Sequence, residues 1–202
     1  MTAPRLIRIG IMGAPSTGKT LLMRRIEMEL RGLDIAVART GRLGRRAALV
    51  PLPKMQHHTI DSTRWIIATG IADEVAATTS LGNDAPVRVV LADRACWDAI
   101  SYFRAAQEWN GQIVPRAGGE SLYRLAAAHD PYDLLFATVL DPDLPVRPKH
   151  DYDARYRTLV DHHTHALLRE ENLPCTPVTG DHASQQRAIE KALQLCRTEA
   201  PV

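Results

Sequence analysis

Eight consecutive residues, Gly13-Ala14-Pro15-Ser16-Thr17-Gly18-Lys19-Thr20, place four positions between two glycines and end on Lys-Thr. These types in this order suit one chemistry, the holding of a polyphosphate. Gly13 and Gly18 let the backbone curl so that successive N–H groups converge on an anion. The helix that follows the loop adds the positive end of its dipole, with Leu21 also expected at the nucleotide. Lys19 is a mobile point charge suited to the β- and γ-phosphates of ATP, and the Thr20 hydroxyl is a hard oxygen ligand for Mg²⁺. A chance glycine-rich turn is the competing account, and the flanking elements argue against it.

Asp93 and Arg94 follow the apolar run 87–92. A carboxylate ending a buried strand beside a phosphate loop either holds Mg²⁺ or accepts a proton from a hydroxyl. The plain alternative is a cap for the next helix. Arg94 is suited to phosphate or substrate, against an ordinary surface role. Further basic residues, Arg147, Lys149, Arg155 and Arg157, fall in a segment around 143–157. They are either solvated charge or a lid over the site, where one supplied arginine is worth roughly 10³–10⁵ in rate.

The elements that must position these groups are legible from periodicity. Residues 6–12 read as an apolar strand, and Leu22, Ile26 and Leu30 recur at helical spacing up to Gly32. Residues 34–38, 87–92, 133–139 and 175–178 read as four more strands. Residues 60–79, 95–109, 121–129, 154–172 and the stretch through Ile189 and Cys196 read as helices. Residues 39–58, with two glycines, two prolines and Arg39, Arg42, Arg45, Arg46 and Lys54, read as a long loop. Those basic residues are either a solvated arm or face an anion. Strands alternating with helices predict an α/β fold, a three-layer sandwich whose five-stranded parallel sheet has helices on both faces. Ligands bind such sheets beyond the carboxyl ends of the strands, where the glycine loop, Asp93 and the loop after Leu140 converge.

The chain of 202 residues suits a single domain spanning 1–202, with 45% apolar and 24% charged residues. Its net charge of +2 gives no reason to expect nucleic acid, and no apolar run is long enough to span a bilayer. Cys96, Cys175 and Cys196 show no C-x-x-C pairing and read as reduced, mostly buried thiols of a cytoplasmic protein. Of the 25 basic residues 21 are arginine, so each arginine carries less information than usual. His162, His163 and His165 lack the companions of a metal set and read as a half-exposed helix face.

The chain has neither the N-K-x-D nor the D-x-x-G element of small GTPases, and Asp-Arg stands where remodelling ATPases of the AAA+ type carry tandem acids. On Gly13 to Thr20, on Asp93-Arg94 with Asp98 and Tyr102, on Asp141-Pro142-Asp143-Leu144-Pro145 and on Val178 to Ala192, it resembles the P-loop nucleoside and nucleotide kinases. Within these it is most similar to the kinase domain of bacterial ribosylnicotinamide kinases. The resemblance covers nearly the whole chain in layout, but only the glycine loop is highly specific. It implies the P-loop NTPase fold, ATP and Mg²⁺ at Lys19 and Thr20, Asp93 as base or metal-linked acid, and Gly180-Asp181-His182 along the adenine.

The activity expected is transfer of the γ-phosphoryl of ATP to a hydroxyl of a small molecule, a nucleoside or a relative of one. Arg39, Asp98 and Tyr102 are expected beside the acceptor. The expected partner is that small molecule, with a homodimer left open and neither membrane nor nucleic acid involved. Two other readings share these residues: an ATPase or switch acting with a protein partner, and a kinase of a modified base in DNA.

Overall fold

Residues 5–12 alternate around three isoleucines, and a period of two puts Ile7, Ile9 and Ile11 on one side of a strand. A computed structural model describes residues 5–81, 87–112, 116–143 and 153–198. In it the strand β1 (Arg5–Met12) is the middle of a five-stranded sheet. The order is β2 (Ala36–Thr40), β3 (Val87–Ala92), β1, β4 (Leu134–Thr138) and β5 (Thr176–Val178). Every pairing is parallel, so each strand must be followed by a crossover, and helices supply them.

Those helices are α1 (Lys19–Arg31), α2 (Leu43–Leu49), α3 (Ile60–Ser80), α4 (Asp98–Trp109), α5 (Arg116–Ala127), α6 (Ala154–Glu170) and α7 (His182–Thr198). Strand alternation sorts them into two layers. Ile7, Ile9, Ile11, Val89, Leu91 and Phe136 face one side and pack on Leu22 and Ile26 of α1 and Ile189 of α7. Met12, Leu135 and Ala137 face the other, against Ile67 of α3, Phe103 of α4, Leu122 of α5 and Leu167 of α6. Burying one such aliphatic side chain stabilises the fold by about 1.5–3 kcal/mol. The sandwich expected from the sequence is the one observed. No helix among the described residues is long and apolar enough to cross a membrane.

The largest departures from the reading of the sequence lie in three places. The stretch 39–58 contains α2 and a 3₁₀ turn, Met55–His57. The buried residues of α2 are Leu43 and Ala47, one helical turn apart, but exposed arginines between them and glycines and prolines around them hide the period. Gly70 of α3 admits Leu43, since a Cβ there would lie 3.3 Å from Leu43 Cδ1. Helix α4 starts at Asp98, three residues later than expected, because Arg94 takes a positive φ of 116° and turns the chain first. Helix α5 starts at Arg116, not near residue 121.

A polar cluster locks α3 to the segment before β4. Glu74, 2% exposed, accepts from Tyr132 OH at 2.9 Å and lies 3.0 Å from His129 Nε2. Tyr132 OH accepts in turn from the Cys96 N–H at 3.0 Å, and its ring stacks on His129. Burial disfavours the charged imidazole, but hydrogen bonds to Cys96 and Glu74 outweigh it and push His129 up to about 10. A pKa raised by folding gives stability that is complete below the unfolded value of about 6.5 and is lost as pH climbs towards about 10. The melting temperature is therefore expected to fall from pH 6.5 to 10 more steeply in the wild type than in Glu74→Gln. Parallel curves in differential scanning fluorimetry would remove His129 from the account.

Candidate functional site

Between β1 and α1 the backbone does what the two glycines allow. Gly18 is left-handed, with φ of 87°, and Gly13 has φ of 140°. Gly13 also passes so close to β4 that a Cβ on it would lie 1.9 Å from Thr138 Oγ1. The loop is braced from that side. Thr17 Oγ1 donates to Ala14 O at 2.9 Å and meets Thr138 Oγ1 at 2.6 Å, and Thr138 Oγ1 donates to Met12 O at 3.1 Å. Ala14 and Pro15 are buried, Ser16 and Leu21 face outward, and Thr17 and Gly18 lie between. Lys19 is 6% exposed, and its ammonium donates to Gly13 O at 2.7 Å and also to Ala14 O. Burial lowers Lys19 to about 8, with Asp98 opposing the shift, so it stays mostly protonated at neutral pH.

Strand β3 delivers Asp93 beside the loop. Its Oδ1 accepts from the Thr20 hydroxyl at 3.2 Å. Gly41, after β2, lets Asp93 in, since a Cβ on it would lie 3.0 Å from Asp93 Cβ. The Thr20 hydroxyl and the Asp93 carboxylate are hard oxygen donors already side by side, and that donor set fits Mg²⁺.

Asp98 and Tyr102, expected beside an acceptor, hold the glycine loop itself. Asp98 Oδ1 accepts from the Gly13 N–H at 2.9 Å, and Tyr102 OH donates to the Gly13 carbonyl at 3.3 Å. Helix α4 thus clamps the first glycine of the loop by both its polar groups. The second Asp98 oxygen accepts from Arg94 at 3.3 Å, and the Arg94 guanidinium lies 4.8 Å from the Tyr102 ring centroid. Burial pushes Asp98 upward, and Arg94, Lys19 and the Gly13 N–H pull against it.

The cavity itself lies on the α3 side of the sheet. Leu43 of α2, Met55, Ile66 of α3 and Ala99 of α4 give it apolar walls, with Arg94, His58 and Lys54 as polar groups. Burial, then Arg94, lowers His58 to about 4, so it is a neutral ring held by Thr63 Oγ1 at 3.2 Å from its Nδ1. Nothing in the sequence singled out His58 for the site, because it falls in the stretch read as a loop.

Arg39 does not enter the cavity. It shares strand parity with Val37, which packs in the α1 layer, and its Nε lies 3.4 Å from Glu27 of α1. Arg147 and Lys149 fall outside the described residues. Arg155 is exposed, 5.8 Å from the Trp109 ring. Arg157, 3% exposed, sits in the first turns of α6, where neighbouring Tyr156 packs with Ala14 of the loop and Tyr102. Gly180, Asp181 and His182 are exposed at the start of α7, with Asp181 Oδ1 capping the Ser184 N–H at 2.8 Å. Arg25 of α1 donates to Gln185 at 3.3 Å, which ties this turn to the α1 side of the loop. His163 pairs with Glu108 at 2.7 Å and His165 lies 3.7 Å from Asp161. Among the described residues no three His, Cys, Asp or Glu side chains gather as a metal set. Cys96 and Cys196 are buried free thiols, and Cys175 is exposed.

The sequence family described as "AAA domain" matches residues 8–187. No curated protein matches the chain. Solved structures do. A NadR protein in complex with NAD and AMP-PNP superposes with a TM-score of 0.68 at 18% identity, over 97% of this chain and 50% of that one. Thymidylate kinase from Ehrlichia chaffeensis gives 0.60 at 13% identity, over 95% and 99% of the two chains. Deoxyadenosine kinase from M. mycoides with bound dATP gives 0.63 at 10%, over 93% and 99%. At these identities the likeness establishes the fold, and the chain spans about half the length of the NadR structure.

Proposed function

This chain belongs to the AAA-domain family matched over residues 8–187, and on that premise we propose that it is a kinase moving the γ-phosphoryl of ATP to a small-molecule hydroxyl, a nucleoside or a relative of one. The observation that carries the reading is one juxtaposition. A phosphate loop, a hydroxyl–carboxylate pair at Thr20 and Asp93, and a largely apolar cavity beginning at Arg94 lie side by side at the carboxyl ends of the strands. An ATPase that drives only itself has no need of that cavity.

In this reading the loop amides and Lys19 hold the phosphates, and Lys19 leaves the Gly13 and Ala14 carbonyls to do so. Thr20 and Asp93 would hold Mg²⁺, which when bound neutralises charge between the β- and γ-phosphates. Asp93, next in the chain to the cavity residue Arg94, would take the proton of an incoming hydroxyl. Arg94, with Arg157 and Arg155 from α6 and Arg147 from the preceding segment, offsets charge as the phosphoryl group moves. Gly180 to His182 flank the adenine, and the protein works in the cytoplasm.

The family description favours one rival, an ATPase whose output is a conformational change. One experiment separates the two. The protein is incubated with Mg²⁺·ATP and a panel of nucleosides, with mass spectrometry watching for an added phosphate and Lys19→Ala as control. A phosphorylated acceptor from the wild type but not from Lys19→Ala is the expected result. Steady ATP loss with no phosphorylated acceptor would favour the ATPase.

A further inference from the structure

The charges around the cavity are unevenly matched. Arg94 and Lys54 are its cations. Its one carboxylate among the described lining residues, Asp98, is 1% exposed and has each oxygen in use, one by the Gly13 N–H and one by Arg94. His58 is a neutral ring. Arg94 and Asp98 therefore offset one another, and Lys54 is the charge left over among the described lining residues, which favours an anionic ligand over a cationic one.

Lys54 lines the cavity next to Met55 and close in the chain to His58. The segment around it is pinned to the C-terminal half of α4: Gln107 donates to His58 O at 3.3 Å and Asn110 to Gln56 O at 2.7 Å. Gln107 is nine residues along α4 from Asp98, about 13 Å at 1.5 Å per residue. The phosphate loop meets the start of α4, where Asp98 holds the Gly13 N–H. Lys54 is exposed and has no ion-pair partner among the described residues.

We propose that the acceptor carries a negatively charged substituent at the end remote from its reacting hydroxyl, and that Lys54 selects it. The site would then take carboxylated nucleosides ahead of their neutral or cationic counterparts. The proposal rests on reading this cavity as the acceptor's, and its test is built so that the two can fail separately.

Matched pairs isolate the charge: uridine against 5-carboxyuridine, and a pyridinium riboside bearing a carboxamide against the same riboside bearing a carboxylate. Calorimetry with Mg²⁺ and a non-hydrolysable ATP analogue reads affinity, and mass spectrometry with ATP reads transfer. The carboxylate of each pair is expected to bind about tenfold more tightly at low salt, as one added charge pair near a surface allows. That preference should shrink at 0.5 M salt and fall below twofold in Lys54→Gln. Lys54 is exposed, so the substitution leaves the core alone. Equal affinity within both pairs, no binding of either carboxylate at millimolar concentration, or a preference unchanged in Lys54→Gln would each overturn the proposal. A carboxylate preference in binding with no phosphorylated product would sustain it and sink the kinase reading. Equal affinity with product formed would do the reverse.

Discussion

Asp98→Ala is expected to cost about 3–5 kcal/mol of folding stability and to abolish nucleotide binding at concentrations that saturate the wild type. Two debts fall due at once. The Gly13 N–H, now satisfied at 2.9 Å inside a buried cluster, is left without an acceptor, at a cost of about 1–3 kcal/mol. Arg94 keeps its charge and loses the carboxylate 3.3 Å away. Its side chain is 33% exposed, so it can lean towards water and the Tyr102 ring, which holds the total near the lower end. Asp98→Asn separates the two losses. An amide oxygen can still accept from Gly13, but it brings no charge to Arg94. Its stability should lie between those of the wild type and the alanine variant. Urea unfolding with an unchanged m-value gives the stabilities, and calorimetry with an ATP analogue gives the binding. An alanine variant that binds nucleotide like the wild type would show that the clamp on Gly13 is dispensable.

Asp98 also shows where sequence reasoning stops. The glycine loop was legible because its chemistry is local: eight adjacent residues supply both the curl and the lysine. Asp93 was legible from position, since the end of a buried parallel strand points at the ligand side of the sheet. The helices on both faces of the sheet followed from strands alternating with helices along the chain, a pattern that survives any detail of packing. The tie between Asp98 and Gly13 spans 85 residues, and no spacing rule reaches that far. Arg39 was placed at the acceptor on charge alone. Its parity with Val37 already put it on the α1 face, where Glu27 meets it. Helix α2 went unseen because only Leu43 and Ala47 are buried in it, too few to carry a period past three arginines and the surrounding glycines.

Gly13→Ala is expected to destabilise the fold by about 2–6 kcal/mol, summing backbone strain at a positive φ and overpacking. It should also remove nucleotide binding, because the loop must move to admit the methyl group. A Cβ at Gly13 would lie 1.9 Å from Thr138 Oγ1, 3.2 Å from Thr138 Cβ and 3.0 Å from the Thr138 carbonyl. The side-chain part of that overlap can be removed separately. Thr138→Ala alone forfeits the hydrogen bond to Met12 O, about 1 kcal/mol, and the contact with Thr17 Oγ1. In the double variant the hydroxyl is gone and the worst contact with it, so the two changes should fall short of additivity by about 1–3 kcal/mol. Binding should stay lost even so, since φ of 140° and the close carbonyl remain. Strict additivity in the cycle would mean that the loop escapes the threonine by shifting as a whole. Restored binding in the double variant would mean that the clash, not the backbone conformation, is what demands glycine at this position.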